Sequence, residues 1–271
     1  MKKSWLSISN IAVILVSVVI ALLGKESMAI SLPIAAGLLV VYFILKRMGV
    51  PMQNAWKVLS VLLLLFTIIA GFNVKVPSIG TNGQTSRNLV FHVPMWIAMY
   101  TLFTISVVNS LRYLATNDLR KDILASSAGS VGVLFGVMGF VTGSLWATYT
   151  WGGTITDDPK QLSTFIALLI YLAYLVLRMS FTDLDKRARV SAIYNIFAFA
   201  LLIPLTYIIP RMQDSLHPGS ASTPGFKSSD TEHTLQLVFY PAFIGWTLLS
   251  IWIYTLRVRY KRLALKNILH G

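Results

Sequence analysis

Eight apolar stretches separated by short polar segments organise the sequence, at residues 8–24, 28–45, 58–72, 89–111, 123–145, 161–177, 190–210 and 236–256. A hydrocarbon layer about 30 Å thick is crossed by roughly 20 helical residues rising 1.5 Å each, and the stretches are of that order. The third is the shortest, and Trp56 is expected to begin its helix. Backbone groups facing lipid find no water to bond, so each segment must satisfy its own N–H and C=O groups as a helix. The pattern predicts an all-α fold, a polytopic membrane helix bundle of about eight transmembrane helices.

Composition supports that reading. Of 271 residues, 55% are hydrophobic and 12% charged, about half the roughly 25% charged residues of soluble domains. There is no cysteine, which removes disulfide frameworks, thiolate metal sites and catalytic thiols from consideration.

The net charge of +13 raises nucleic acid as a partner, and the placement of the charges argues against it. With a cytoplasmic N-terminus, the inside segments are 1–7, 46–57, 112–122, 178–189 and 257–271, and they hold 17 of the 23 Lys and Arg residues. The bias orients the chain with both termini in the cytoplasm, and the charge meets anionic lipid of the bilayer. The expected location is therefore a bacterial inner membrane. Met1-Lys2-Lys3 before an apolar run, with Ser27-Met28-Ala29 after it, imitates a cleavable secretory signal. An uncleaved anchor is the expectation, and either outcome leaves the later topology unchanged. The segmentation is an N-terminal hairpin and basic linker over 1–50, a six-helix membrane domain over 51–258, and a basic cytoplasmic tail over 259–271.

Candidate chemistry gathers on the outside face. His92 stands at the mouth of the fourth span, just before Pro94, and His217 precedes Pro218-Gly219 in the last outside loop. Taken singly, each histidine reads as an interfacial or solvated side chain, as do His233 and His270. A polar ring at membrane depth should nevertheless face protein rather than lipid, and a Pro-Gly turn presents its neighbour on a stiff loop. Between the two lies Gly143 to Lys160, read as a loop rich in aromatic residues, glycine and hydroxyls. An interfacial aromatic belt accounts for Trp146, Tyr149 and Trp151. It does not account for Gly152-Gly153, or for Asp157-Asp158-Pro159-Lys160, which marks a helix start. An aromatic platform beside two same-side imidazoles suits a flat metal-bearing ligand, with outside cations Arg87 and Lys160 for its carboxylates. Gly129, Gly132, Gly136, Gly139 and Gly143 recur at three- and four-residue steps and predict a close helix contact rather than a channel. Pro204 predicts a kink below the His217 loop.

Several ordered strings resemble the CcmC/CcsA cytochrome c assembly protein family, and its CcmC branch most: Phe91-His92-Val93-Pro94-Met95-Trp96, Thr142-Gly143-Ser144-Leu145-Trp146, Trp151-Gly152 with Asp158, and Asp214-Ser215-Leu216-His217-Pro218-Gly219. Tyr171 to Arg178 and Asp185 to Arg189 look like its Bacteroidetes type. The resemblance covers about 51–258. It implies a non-enzymatic six-helix core that transiently binds b-type haem at the periplasmic face, with His92 and His217 as axial ligands of the iron. Trp146, Trp151 and Asp158 match the tryptophan-rich element, and Arg87 and Lys160 match the partners of the haem propionates. The implied partners are the membrane and ATP-binding subunits of an ABC transporter and a periplasmic haem chaperone. Thr154, Ile155 and Asp157 stand where the family has tryptophans, and the lost apolar cover corresponds to a few kcal/mol at roughly 25 cal/mol per Å².

Three other readings make different demands. A small-solute permease calls for ionisable residues at membrane depth, and the eight spans carry no Asp, Glu, Lys or Arg. An intramembrane hydrolase lacks paired carboxylates or a His-x-x-x-His ligand pair. A CcsA-like synthetase component matches the helix count but calls for further membrane histidines.

Overall fold

The computed structural model describes residues 52–73, 83–217 and 233–270, together with Arg47. The spans read at 8–24 and 28–45, and Pro218-Gly219 after His217, lie outside the described residues. Among those described, every regular element is helical: α1 (Met52–Asn73), a 3₁₀ turn (Gly83–Asn88), α2 (Leu89–Thr116), α3 (Leu119–Trp151), α4 (Pro159–Met179), α5 (Leu184–Ile203), a π-helical turn (Pro204–Ile208), α6 (Ile209–Met212) and α7 (His233–His270). Six of the segments are long and apolar enough to cross a membrane, and each coincides with a predicted span. The chain is a multi-pass helical membrane protein.

Local sequence sets the helix boundaries. Asn117 ends α2 in the left-handed conformation at φ 50°, with its N–H on the Tyr113 carbonyl. One residue later Asp118 caps α3 by accepting from Arg120 N, so α2 and α3 form a tight antiparallel hairpin. Asp158 and Asp183 cap α4 and α5 in the same way, and Pro159 occupies the first turn of α4, where its missing N–H costs nothing. Pro204 cannot continue the α-helical ladder. The chain there widens into a π turn in which Ile209 N–H reaches the Pro204 carbonyl.

Three boundaries differ from the sequence reading. Helix α1 begins at Met52, one turn before Trp56. Helix α3 runs through Trp151, so Gly143–Trp151 is helix and only residues 152–158 form the loop. The hydroxyls that resembled loop chemistry bond within the helix, Thr148 to Ser144 O at 3.0 Å and Thr150 to Trp146 O at 2.9 Å. Gly152 at φ 78° then stops it. The basic tail likewise continues α7 without a break to His270.

The core is the α2–α3 seam. Lipid is as apolar as leucine, so close fit rather than water exclusion holds such helices together. The α3 glycines supply that fit: a Cβ on Gly132 would lie 2.6 Å from the Phe103 ring, on Gly136 2.8 Å from Met99 Sδ, and on Gly139 2.9 Å from Trp96. The predicted contact thus forms against the 92-96-99-103 face of α2. Phe103 in turn stacks on Tyr171 of α4. Helix α1 lies on α7, with Ser60 donating to the Gly245 carbonyl, and leaves Leu65, Ile69 and Phe72 exposed.

A candidate haem site at one end of the bundle

The last contact of the glycine seam positions a functional side chain. Gly143 lies so close to α2 that a Cβ there would sit 2.5 Å from His92 Cε1. His92 is buried, and its Nδ1 is 2.9 Å from the Gly139 carbonyl and 3.2 Å from Thr142 Oγ1. A carbonyl only accepts, so Nδ1 carries the proton and Nε2 keeps a lone pair. That lone pair accepts from Trp96 Nε1 at 3.1 Å, one helical turn away.

His217 is held by a different element through one carboxylate. Its Nδ1 lies 2.8 Å from Asp158 Oδ1. Asp158 also accepts from Ser215 Oγ at 2.7 Å and Leu216 N at 2.8 Å while capping α4 through Lys160 N and Gln161 N. Burial alone would raise the Asp158 carboxyl. The hydrogen bonds from His217 and Ser215, the nearby imidazole and the Leu216 amide outweigh it and hold the group well below the usual carboxylate range. A lowered carboxyl stabilises the fold above the ordinary aspartate range and loses that effect only as pH falls through the lowered value. The clasp on residues 215–217 therefore persists through neutral and mildly acid pH.

Both imidazoles line one cavity of about 450 Å³, together with Trp96, Tyr100, Trp146 and Gln161, the cations Lys160 and Arg211, and apolar walls from Leu89, Val93 and Phe140. The π turn contributes Thr206 and Tyr207, which fits the expectation that a kink at Pro204 shapes the pocket. The two rings share one design. Each gives its Nδ1–H to a protein acceptor, which fixes the tautomer and leaves the lone pair on Nε2.

A sequence profile described as cytochrome C assembly protein matches residues 25–217, well over half of the chain. The chain belongs to this family. Among curated relatives it is 27% identical over 179 residues to heme exporter protein C of Bradyrhizobium diazoefficiens, covering 65% of this chain and 66% of that protein, just under two thirds of its length. It is 24% identical over 180 residues to heme exporter protein C of Paracoccus denitrificans, covering 65% and 73%. It is also 27% identical over 168 residues to protein HemX of Bacillus subtilis, covering 52% and 60%.

Within this family member, the seven residues singled out from sequence divide by position. His92, His217, Trp146 and Lys160 line the cavity. Trp151 does not line it but packs its indole against the His217 ring, centroids 4.6 Å apart and edge to face. Asp158 orients His217 rather than lining the cavity. Arg87 lies elsewhere: its Nη1 donates to the Gly71 and Phe72 carbonyls, satisfying the last turn of α1. Arg211, which the sequence reading did not name, lines the cavity with its guanidinium 3.6 Å from the centroid of the Tyr207 ring.

Sequence reasoning also passed over Trp96 and Gln161. Trp96 is four residues after His92, a spacing that stacks two side chains on one helix face. Gln161 accepts from Thr156 N and donates to the Thr154 carbonyl, both at 2.8 Å, and so pins the 152–158 loop. At the positions where the family has further tryptophans, Thr154, Ile155 and Asp157 are all exposed on that loop.

Proposed function

We propose that this protein binds haem for cytochrome c biogenesis and presents it at the periplasmic face for transfer to a membrane-anchored haem chaperone, without covalent catalysis of its own. The observation that carries the reading is that two imidazoles from separate elements, each with Nδ1 committed to a protein acceptor, line one aromatic cavity. The donor set fits haem: Nε2 of His92 and His217 for the iron, Trp96, Trp146 and Phe140 for the porphyrin faces, and Lys160 and Arg211 for the propionates. Haem is cargo here, held transiently as the b-type. The relatives named heme exporter protein C support membership of an export complex with the membrane and ATP-binding subunits of an ABC transporter. The charge bias of the loops supports a periplasmic cavity, and the heme exporter protein C relatives support a location in the inner membrane.

Protein purified in detergent from haem-replete cells should carry a bis-histidine haem absorption spectrum and should co-purify with an ATP-binding subunit. A preparation free of haem even after incubation with hemin would refute the reading. Co-purification instead with a large partner bearing periplasmic domains would indicate a CcsA-like synthetase component.

The Trp96 contact yields a quantitative prediction. Its indole N–H bonds to the Nε2 lone pair that the iron needs, so haem binding has to displace the indole from His92. Trp96→Phe keeps an aromatic wall and removes the donor. Because a hydrogen bond contributes about 1 kcal/mol net, hemin affinity should rise roughly fivefold. Unchanged affinity in a hemin titration would show that the indole does not compete.

A further inference from the structure

A second cavity, of about 300 Å³, lies at the opposite end of the bundle, where α3 and α5 begin and α4 ends against α7. Three cations line it, Arg178, Arg187 and Lys261, with one carboxylate, Asp122. The carboxylate is already committed. Arg178 holds it with two parallel bonds, Nη1 to Oδ1 at 2.7 Å and Nη2 to Oδ2 at 2.8 Å, and both side chains are nearly buried. Among the described residues of the cavity, that leaves Lys261 and Arg187 without a carboxylate partner. Lys261 Nζ donates to a neutral acceptor, Ser126 Oγ, at 2.9 Å, one of the three bonds an ammonium can make. Arg187 Nε is buried and, among the described residues, has no hydrogen-bond partner.

Gathering like charges away from bulk water is unfavourable unless an anion joins them. The rest of the wall is apolar: Ile123, Phe181, Leu184 and Met179. Met179 is 77% exposed and Val176, one turn back on α4, is 59% exposed, so an apolar track leads from the cavity along the outer surface of the bundle. A cationic recess joined to an apolar track matches a phosphate headgroup with acyl chains. Basic pockets between transmembrane helices at the cytoplasmic side bind such headgroups. We propose that this cavity binds the phosphate group of an anionic phospholipid of the cytoplasmic leaflet, through Lys261 and Arg187.

The test uses delipidated full-length protein in detergent, with native mass spectrometry reading retained lipid as phosphatidylglycerol or phosphatidylcholine is added. Wild type should retain one phosphatidylglycerol and no phosphatidylcholine at the same concentration. Lys261→Gln and Arg187→Gln should each bind phosphatidylglycerol roughly fivefold more weakly. Arg259→Gln, which removes an exposed cation of α7 outside the cavity, should bind as wild type. The two cavity variants should also keep the hemin affinity of wild type, which reports that the bundle is folded. Equal binding by wild type and both cavity variants, or equal weakening by Arg259→Gln, would overturn the proposal. Inorganic phosphate competing as well as the lipid, mole for mole, would overturn the lipid and leave a free phosphate as the ligand.

Discussion

Asp158→Asn should uncouple His217 from the rest of the bundle and lower hemin affinity at least tenfold while leaving the helical content intact. The Asp158 carboxylate receives five hydrogen bonds: two from the start of α4 and three from Ser215, Leu216 and His217. Asparagine preserves the volume and one acceptor oxygen, so the α4 cap, worth about 1 kcal/mol, can persist. The second oxygen becomes an NH₂ group directed at the Ser215 and Leu216 donors, while the oxygen retained on the α4 cap faces His217 Nδ1 as a neutral acceptor. Bonds to a charged acceptor contribute about 1.5–3 kcal/mol each, and the three on the 215–217 segment act together, so the loss is less than their sum. With two of the three bonds lost and the third weakened, the imidazole can rotate, and a ring fixed at no additional entropic cost becomes one that binding must order. Hemin titration beside circular dichroism separates the two effects. Unaltered affinity would mean that His217 is oriented by something other than Asp158.

Gly143→Ala should damage the site from the other side. The new Cβ would lie 2.5 Å from His92 Cε1 and 3.1 Å from Nδ1. The ring has little room to yield, since Gly139 O and Trp96 Nε1 hold both of its nitrogens. Overpacking of this kind costs about 1–3 kcal/mol, and here the strain falls on the His92 ring. The expected result is loss of the bis-histidine spectrum with a modest fall in thermal midpoint. Gly132→Ala is the matched comparison, because its Cβ would meet Phe103 at 2.6 Å, away from the histidines. It should lower the midpoint to a similar degree and leave the haem spectrum unchanged. If both variants keep the spectrum, the glycine seam does not set the position of His92.

These residues show what was legible in the chain and what was not. Six spans of the described region were readable because lipid imposes length and apolarity on each helix independently of its neighbours. The α4 start was readable because Asp-Pro-Lys carries its own capping chemistry. The two histidines were found because four histidines make a short search and both fall on one side of the predicted membrane. Tertiary arrangement decided the rest. The aromatic segment after Gly143 looked like a loop because it is rich in threonine, and the structure turns those hydroxyls back onto its own helix. Arg87 and Arg211 are equivalent outside cations in sequence. Only the contact of the 3₁₀ turn with the end of α1, and the π turn that begins at Pro204, determine that Arg87 caps a helix and Arg211 reaches the cavity. Asp158 was expected to touch the ligand, but it acts one bond further back, through His217. Lys261 registered only in the cytoplasmic charge bias, and Arg187 there and in the Asp185–Arg189 string, because a cavity between four helices leaves no local signature.

The central claim is that His92 and His217 ligate one haem iron, and imidazole rescue of the alanine variants tests it most directly. His92→Ala and His217→Ala should each lose the bis-histidine absorption spectrum, and free imidazole diffusing into the vacated space should restore it, while His233→Ala retains it throughout. Persistence of the wild-type spectrum in both alanine variants without added imidazole would contradict the account.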